Sequence, residues 1–111
     1  MPSSTDGAAF QAISDGTRRR ILDALLATGP LRAGELAQRF PRISRPAVSK
    51  HLRVLRSSRL VLAERRGREL WYRVDPAPLA GVEQWVQKYA AFWEERLQAL
   101  KDAAEAQSPR Q

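Results

Sequence analysis

The chain has 111 residues, of which 43% are hydrophobic and 28% are charged, and it contains no cysteine. These values are typical of one globular domain, and a chain without thiols excludes disulfides, thiolate metal sites and thiol redox sensing. The formal net charge is +7, and residues 42–68 alone hold nine basic residues against one acid, Glu64. A charge excess confined to one short window is typical of a protein that binds a polyanion.

The first quarter of the chain predicts two helices. Phe10 and Ile13 indicate a short first helix that starts near Ala8. Asp15 is placed to cap a second helix over 16–28, because an aspartate side chain accepts hydrogen bonds from the first free N–H groups of a helix. The apolar residues of this second helix share one predicted core face, which consists of Ile21, Leu22, Leu25 and Leu26.

The next segment predicts a helix, a tight turn and a further helix, together about 33–57. The first of these helices covers 33–40, and Pro41 ends it because a proline ring disfavours helical geometry in the preceding residue. Ser44 is placed to cap the following helix by accepting a hydrogen bond from the N–H of Ala47. The buried stripe of this helix is predicted from apolar residues at helical spacing, namely Val48, Leu52 and Leu55.

A strand pair and a long helix complete the predicted elements. Residues 60–74 predict a hairpin around Gly67 with a basic tip. A final helix over 77–104, about 40 Å long, follows a capping segment that starts at Asp75. Its large apolar residues form an arc wider than a body of this size covers: Leu79, Val82, Trp85, Val86, Tyr89, Phe92, Trp93, Leu97 and Leu100. We expect one domain over 1–106 and a disordered tail over 107–111.

This order of elements predicts a mainly α (α+β) winged helix-turn-helix, α-α-α-α-β-β-α, whose fourth helix enters the major groove of DNA. Arg45 and Ser49 are the candidate base readers, because arginine binds guanine bidentately and a small serine allows close approach. The predicted DNA contacts of this helix are Ser44, Arg45, Pro46, Ser49, Lys50 and Arg53. Those of the hairpin tip, at the DNA backbone or minor groove, are Arg65, Arg66 and Arg68.

Several stretches of this sequence resemble the ArsR/SmtB family of winged-helix repressors. The most recognisable are "TRRRILDAL", "ELA" and "SRPAVSKHLRVL", and the resemblance covers about residues 8–102. The stretch "FWEERLQAL" is similar to the cysteine-free, SdpR-like branch. The resemblance implies a homodimer built on the first and last helices, operator binding, and release from the operator by an effector.

Self-association is also favoured by the surplus apolar arc of the last helix. The predicted dimer interface comprises Phe10, Trp85, Tyr89, Phe92, Trp93, Leu97 and Leu100. We therefore expect a homodimeric repressor on a short palindromic operator, whose partners are double-stranded DNA, a second copy and an effector or partner protein that the sequence does not identify. The alternative is a winged-helix interaction module that uses the same aromatic face to bind another protein, and such a module would be a monomer in solution.

Catalytic and metal-binding classes are disfavoured. Ser49 and His51 lie about 200° apart around one helix, so they cannot form a nucleophile–base pair, and no paired carboxylates or phosphate-binding glycine loop is present. The third helix has no cysteine pair and the last helix has no histidine, so we expect no metal and no cofactor. No apolar run approaches the ~20 residues of a membrane span, and no signal peptide is readable, which predicts a cytoplasmic, nucleoid-associated protein.

Overall fold

The computed structural model describes residues 4–107. In this range the chain forms five α-helices, three strands and one 3₁₀ turn, and the predicted winged helix-turn-helix fold is confirmed. The helices are α1 (Ser4–Ile13), α2 (Gly16–Thr28), α3 (Ala33–Arg39), α4 (Arg45–Ser57) and α5 (Ala80–Gln107). The strands are β1 (Leu31–Arg32), β2 (Val61–Arg66) and β3 (Glu69–Val74), and the 3₁₀ turn covers Ala77–Leu79.

Side-chain caps fix the starts of α2 and α4 where the sequence predicts them. The carboxylate of Asp15 accepts a hydrogen bond of 3.0 Å from the N–H of Arg18. The hydroxyl of Ser44 accepts one of 3.2 Å from the N–H of Ala47. Gly29 follows α2 with a φ of 84°, a conformation that glycine adopts without strain, and its N–H donates to the carbonyl of Leu25.

The predicted hairpin belongs to a larger sheet. Strands β2 and β3 pair antiparallel from Val61–Val74 to Arg66–Glu69, and Gly67 adopts a φ of 64° in the connecting turn. Strand β1 was not predicted. It pairs antiparallel with the other side of β3, so the strand order is β1-β3-β2. A strand of two residues has no alternating pattern to reveal it, and its pairing depends on a partner about forty positions away in the sequence.

The core lies beneath α4 and joins α2, α3, α4 and the start of β2. Its fully buried side chains include Ile21, Leu25, Leu36, Val48, Leu52, Leu55, Leu60 and Val61. The predicted stripe of α4 is therefore confirmed. The prediction for Leu26 was wrong, because its side chain is 70% exposed. Leu26 lies at the solvent edge of α2, next to an open apolar groove of about 480 Å³ that α2 forms with the start of α5.

The terminal helices differ from prediction at their ends. Helix α1 begins at Ser4, before the predicted start at Ala8. The sequence does not predict this first turn, because residues 4–7 are polar or small and carry no apolar periodicity. The predicted last helix begins as the 3₁₀ turn and continues as α5 to Gln107, the first residue of the predicted tail. The remaining tail residues, 108–111, lie outside the described residues. None of the helices within 4–107 is long and apolar enough to cross a membrane.

Candidate nucleic-acid interface

Helix α4 presents a small, basic surface on the side away from the core. All six predicted contact residues of this helix and its cap are exposed: Ser44, Arg45, Pro46, Ser49, Lys50 and Arg53. The opposite side of the helix is fixed by Val48 and Leu52, which are 1% and 2% exposed. Because the helix is capped at its start and anchored along its length, the exposed side chains are held in one orientation relative to the domain.

One edge of α4 faces the sheet. A small cavity of about 210 Å³ lies between the helix and β3, and its lining consists of Ser49, Leu52, Arg53, Arg56 and Tyr72. Arg56 was not predicted as a functional residue, although its spacing of three from Arg53 and seven from Ser49 places it on the same edge of the helix. The structure therefore adds Arg56 to the basic surface beside the hairpin.

The other edge of α4 faces the start of α2 through His51. The side chain of His51 is 21% exposed, and its Nδ1 lies 4.0 Å from the carboxylate of Asp15, which caps α2. The hydrogen bond from the N–H of Arg18 lowers the pKa of Asp15, and the charge of Arg18 acts in the same direction, as does that of His51 when it is protonated, against the desolvation of the carboxyl group. Asp15 thus stabilises α2 and also contacts α4.

The hairpin, residues 61–74, forms the wing, and the three arginines at its tip are all exposed: Arg65, Arg66 and Arg68. The guanidinium of Arg66 lies 5.0 Å from the ring centre of Trp71 and 3.6 Å from the carboxylate of Glu64. Stacking on Trp71 limits the reach of Arg66 and holds its charge close to the strand.

Arg32 connects the tip end of β3 to α3, and it is not among the functional residues that the sequence predicts. Its Nε donates to the carboxylate of Glu35 at 2.8 Å, its Nη1 donates to the carboxylate of Glu69, and its guanidinium lies 5.5 Å from the ring of Trp71. The hydrogen bond from the Arg32 side chain lowers the pKa of Glu35. The only sequence signal for this contact was the spacing of Arg32 and Glu35 around the start of a predicted helix.

Helix α5 carries the predicted self-association surface. None of the residues Ala80–Gln107 is buried, and the exposed fractions along the predicted interface run from 46% for Phe92 to 68% for Leu100. The members of this exposed apolar arc are Trp85, Tyr89, Phe92, Trp93, Leu97 and Leu100. Phe10 is half-buried and packs edge-on against Trp85 of the same chain, with ring centres 5.6 Å apart. Helix α1 therefore covers only the first turns of the arc.

Within residues 4–107, no group of three or more histidine, cysteine, aspartate or glutamate side chains is arranged to hold a metal ion.

A helix-turn-helix domain family matches residues 13–63, the segment from the end of α1 into β2. Over 85 residues the chain is 47% identical to the HTH-type transcriptional regulator Rv2034 of Mycobacterium tuberculosis, an alignment that covers 77% of this chain and 75% of that protein. An ArsR-like transcriptional regulator from Rhodococcus sp. RHA1 superposes with a TM-score of 0.70 at 36% identity, covering 95% of this chain and 94% of that one.

The chain belongs to the ArsR family of helix-turn-helix transcriptional regulators. It is also 39% identical over 77 residues to the transcriptional repressor SdpR of Bacillus subtilis, covering 69% of this chain and 83% of that protein. The resemblance inferred from the sequence motifs is confirmed, as is the prediction that the protein is a transcriptional regulator and not an enzyme. In this ArsR-family member the matched helix-turn-helix segment contains α3 and α4, and α4 presents the exposed basic surface described above.

Proposed function

We propose that this ArsR-family regulator is a homodimeric repressor that binds a short palindromic operator in sequence-specific fashion through α4 and the wing. The observation that carries the proposal is the division of α4 into two sides. One side is locked into the core by Val48, Leu52 and Leu55, and the other exposes only small and basic side chains. This is the arrangement that a helix needs in order to enter a major groove without losing its orientation.

The residues of α4 have separate roles in this proposal. Arg45 lies in the first turn, where recognition helices reach base edges, and it reads guanine through O6 and N7. Ser49 follows one turn later and allows the helix to approach the bases closely. Lys50 and Arg53 divide their contacts between bases and phosphates, and Ser44 with the first N–H groups of the helix receives a phosphate oxygen.

Dimerisation follows from the exposed arc of α5. A contiguous apolar surface of several large side chains marks an interaction site on a monomer. A second copy covers this surface by presenting the same surface in return, as two-fold symmetry requires. The symmetry axis would place two α4 helices about 34 Å apart, in successive major grooves on one face of the duplex. A palindromic operator is the direct consequence.

Repression is the regulatory outcome most consistent with this geometry. Two subunits bound on one face of the duplex block access of polymerase to the same DNA. The relative SdpR is named a transcriptional repressor, and the chain shares 39% identity with it over 77 residues. The proposed function places the protein with chromosomal DNA, and an effector that weakens the bound dimer would relieve repression.

The test begins with genomic fragments that the full-length protein retains, which are sequenced to define the operator. Arg45→Ala should weaken operator binding by about 1–3 kcal/mol and relax the preference at one base position. Arg66→Ala is the matched control, because it removes one arginine from the wing and should weaken operator and random DNA equally. Unchanged base preference in Arg45→Ala would refute its role as a reader. A wild type that retains no specific fragments would refute the proposed function.

A further inference from the structure

A group of arginines lies next to the turn between α3 and α4, outside the DNA-binding residues assigned so far. Arg20, Arg39 and Arg42 line one open cavity of about 550 Å³ with Thr17, Phe40, Pro41 and Ile43. All three arginines are exposed, and no acidic side chain is among the residues that line the cavity. We refer to Arg20, Arg39 and Arg42 as the turn arginine cluster.

Interactions within the described residues leave most of this positive charge uncompensated. Arg20 donates a long hydrogen bond, 3.4 Å, to the hydroxyl of Thr17, which is neutral. Arg39 lies in the last turn of α3, where the helix dipole stabilises a positive charge. Glu35, four positions before Arg39 on α3, binds Arg32 at 2.8 Å, and the charge of Arg39 makes only a minor contribution to the lowered pKa of Glu35. The ion pairs formed by residues 4–107 at distances up to 4.0 Å include no member of the cluster.

The cluster is presented by a preformed turn. The N–H of Phe40 donates to the carbonyl of Ala37 at 3.1 Å, and the N–H of Ile43 donates to the carbonyl of Phe40 at 3.0 Å. Arg42 lies in this turn, two positions before the Ser44 cap of α4. Its position relative to α4 is therefore set by backbone hydrogen bonds, and an anion would bind without ordering a loop first.

The position of the cluster relative to α4 indicates its ligand. The wing flanks α4 along the edge of Ser49 and Arg53. The start of α2 flanks the other edge, where Asp15 approaches His51. Thr17 and Arg20 lie in the first two turns of α2, and they line the same cavity as the turn between α3 and α4. The cluster therefore lies with the start of α2, on the side of α4 away from the wing. A helix seated in the major groove has a phosphate backbone on each side of it, and guanidinium groups bind phosphate oxygens with good geometry.

We infer that the turn arginine cluster binds backbone phosphates of the operator on the side of α4 opposite to the wing. This inference rests on the proposed function and extends it: each subunit holds the duplex from both walls of the groove. The extra phosphate binding adds affinity and fixes orientation but carries no base preference. It also lengthens the footprint of each subunit beyond the base pairs that α4 reads.

The experiment compares two variants of the whole chain, each of which has lost two positive charges, from different surfaces. Arg39→Gln/Arg42→Gln removes two cations from the cluster, and Lys88→Gln/Lys101→Gln removes two exposed cations from α5. Binding to the operator is measured as a function of salt. The plot of log affinity against log salt should flatten by about 0.9 for each phosphate that the protein no longer neutralises, hence by up to about 1.8 per subunit in the cluster variant. The α5 variant should keep the slope of the wild type.

Ethylation interference on the operator locates the phosphates that the cluster binds. On the side of each half-site away from the wing, ethylation of certain phosphates should block binding of the wild type. Ethylation of the same phosphates should no longer affect binding of the cluster variant, and the base preference of that variant should be unchanged. Equal slopes for the cluster variant and the wild type would overturn the inference alone, and a wild type that binds no duplex would overturn the proposed function with it. The inference would also be overturned if the wild type bound inorganic phosphate saturably, the cluster variant did not, and the two proteins had the same salt slope on DNA.

Discussion

Trp93→Ala tests the dimer at the residue where the chain itself offers little cover. Trp93 is 60% exposed, and its ring contacts Phe92 edge-on with ring centres 5.9 Å apart. An aromatic side chain of this size has up to about 250 Å² to bury, so Trp93 leaves roughly 150 Å² of mainly apolar surface in solvent on each copy. Removing the side chain should therefore change the fold of the single subunit very little.

The effect on the dimer follows from burying this surface twice. A two-fold interface that covers both copies removes roughly 300 Å² from water, which corresponds to an upper limit of about 7.5 kcal/mol at ~25 cal/mol per Å². Burial of only half of that area still corresponds to about 3–4 kcal/mol. Because each 1.4 kcal/mol changes an equilibrium constant about tenfold, the dimer dissociation constant should rise at least ~100-fold.

Sedimentation equilibrium over a range of protein concentrations measures this constant. Gln98→Ala is the matched control, since Gln98 lies five positions further along α5, on the side opposite to the exposed apolar arc, and pairs with Asp102 at 2.9 Å. Operator affinity should fall in Trp93→Ala and not in the control. Equal dissociation constants for the two variants would refute the interface, and a wild-type monomer at micromolar concentration would favour the alternative of an aromatic face that binds another protein.

Three further predictions concern the stability of the DNA-binding surface. Leu52→Ala should lower the free energy of unfolding by about 2–5 kcal/mol, because the side chain is 2% exposed and its removal leaves a cavity under α4. In the same denaturant titrations the control Lys50→Ala should stay within about 0.5 kcal/mol of the wild type. Equal decreases in the two variants would contradict a helix with one buried and one exposed side. Ser44→Ala should cost about 1 kcal/mol in the same assay and Ser44→Asp much less, since aspartate restores the cap. Because the pKa of Asp15 is lowered in the folded state, its contribution to stability is present at neutral pH and disappears as the pH falls below about 4. Asp15→Asn keeps a capping oxygen without the charge and should lose less stability between pH 7 and pH 3, and parallel decreases in the two proteins would disprove the effect.

Local signals predicted the part of the fold that presents α4. Asp15 and Ser44 are caps that act within three residues, so their helices could be located from the sequence alone. The stripe of Val48, Leu52 and Leu55 was equally readable, because helical spacing and burial coincide there. Because several of the proposed DNA contacts share one short helix, predicting that helix also predicts which of them face solvent.

The features that the sequence did not predict depend on long-range packing. Strand β1 exists because Leu31 pairs with Tyr72, and nothing in its two residues requires a strand. Leu26 fits the apolar face of α2 by spacing, yet it is 70% exposed because it lies on the open edge of the groove between α2 and the start of α5. The turn arginine cluster combines three residues from different elements, and only the packing of α2 against the α3–α4 turn brings them together.

The attachment of the wing has a consequence for the DNA sequences that this protein accepts. Strand β1 runs into α3 without an intervening residue, and Arg32 binds both Glu35 of α3 and Glu69 of the wing. These contacts fix the wing relative to α3, and Leu36 of α3 shares one core cluster with Leu52 of α4, so the distance between the wing and α4 is set before DNA is bound. A duplex whose groove width matches that distance binds without deformation, whereas stiff or poorly matched base steps must bend or widen at a cost in free energy. In the proposed operator complex, base pairs that no side chain touches would therefore contribute to the choice of operator through the shape of the DNA.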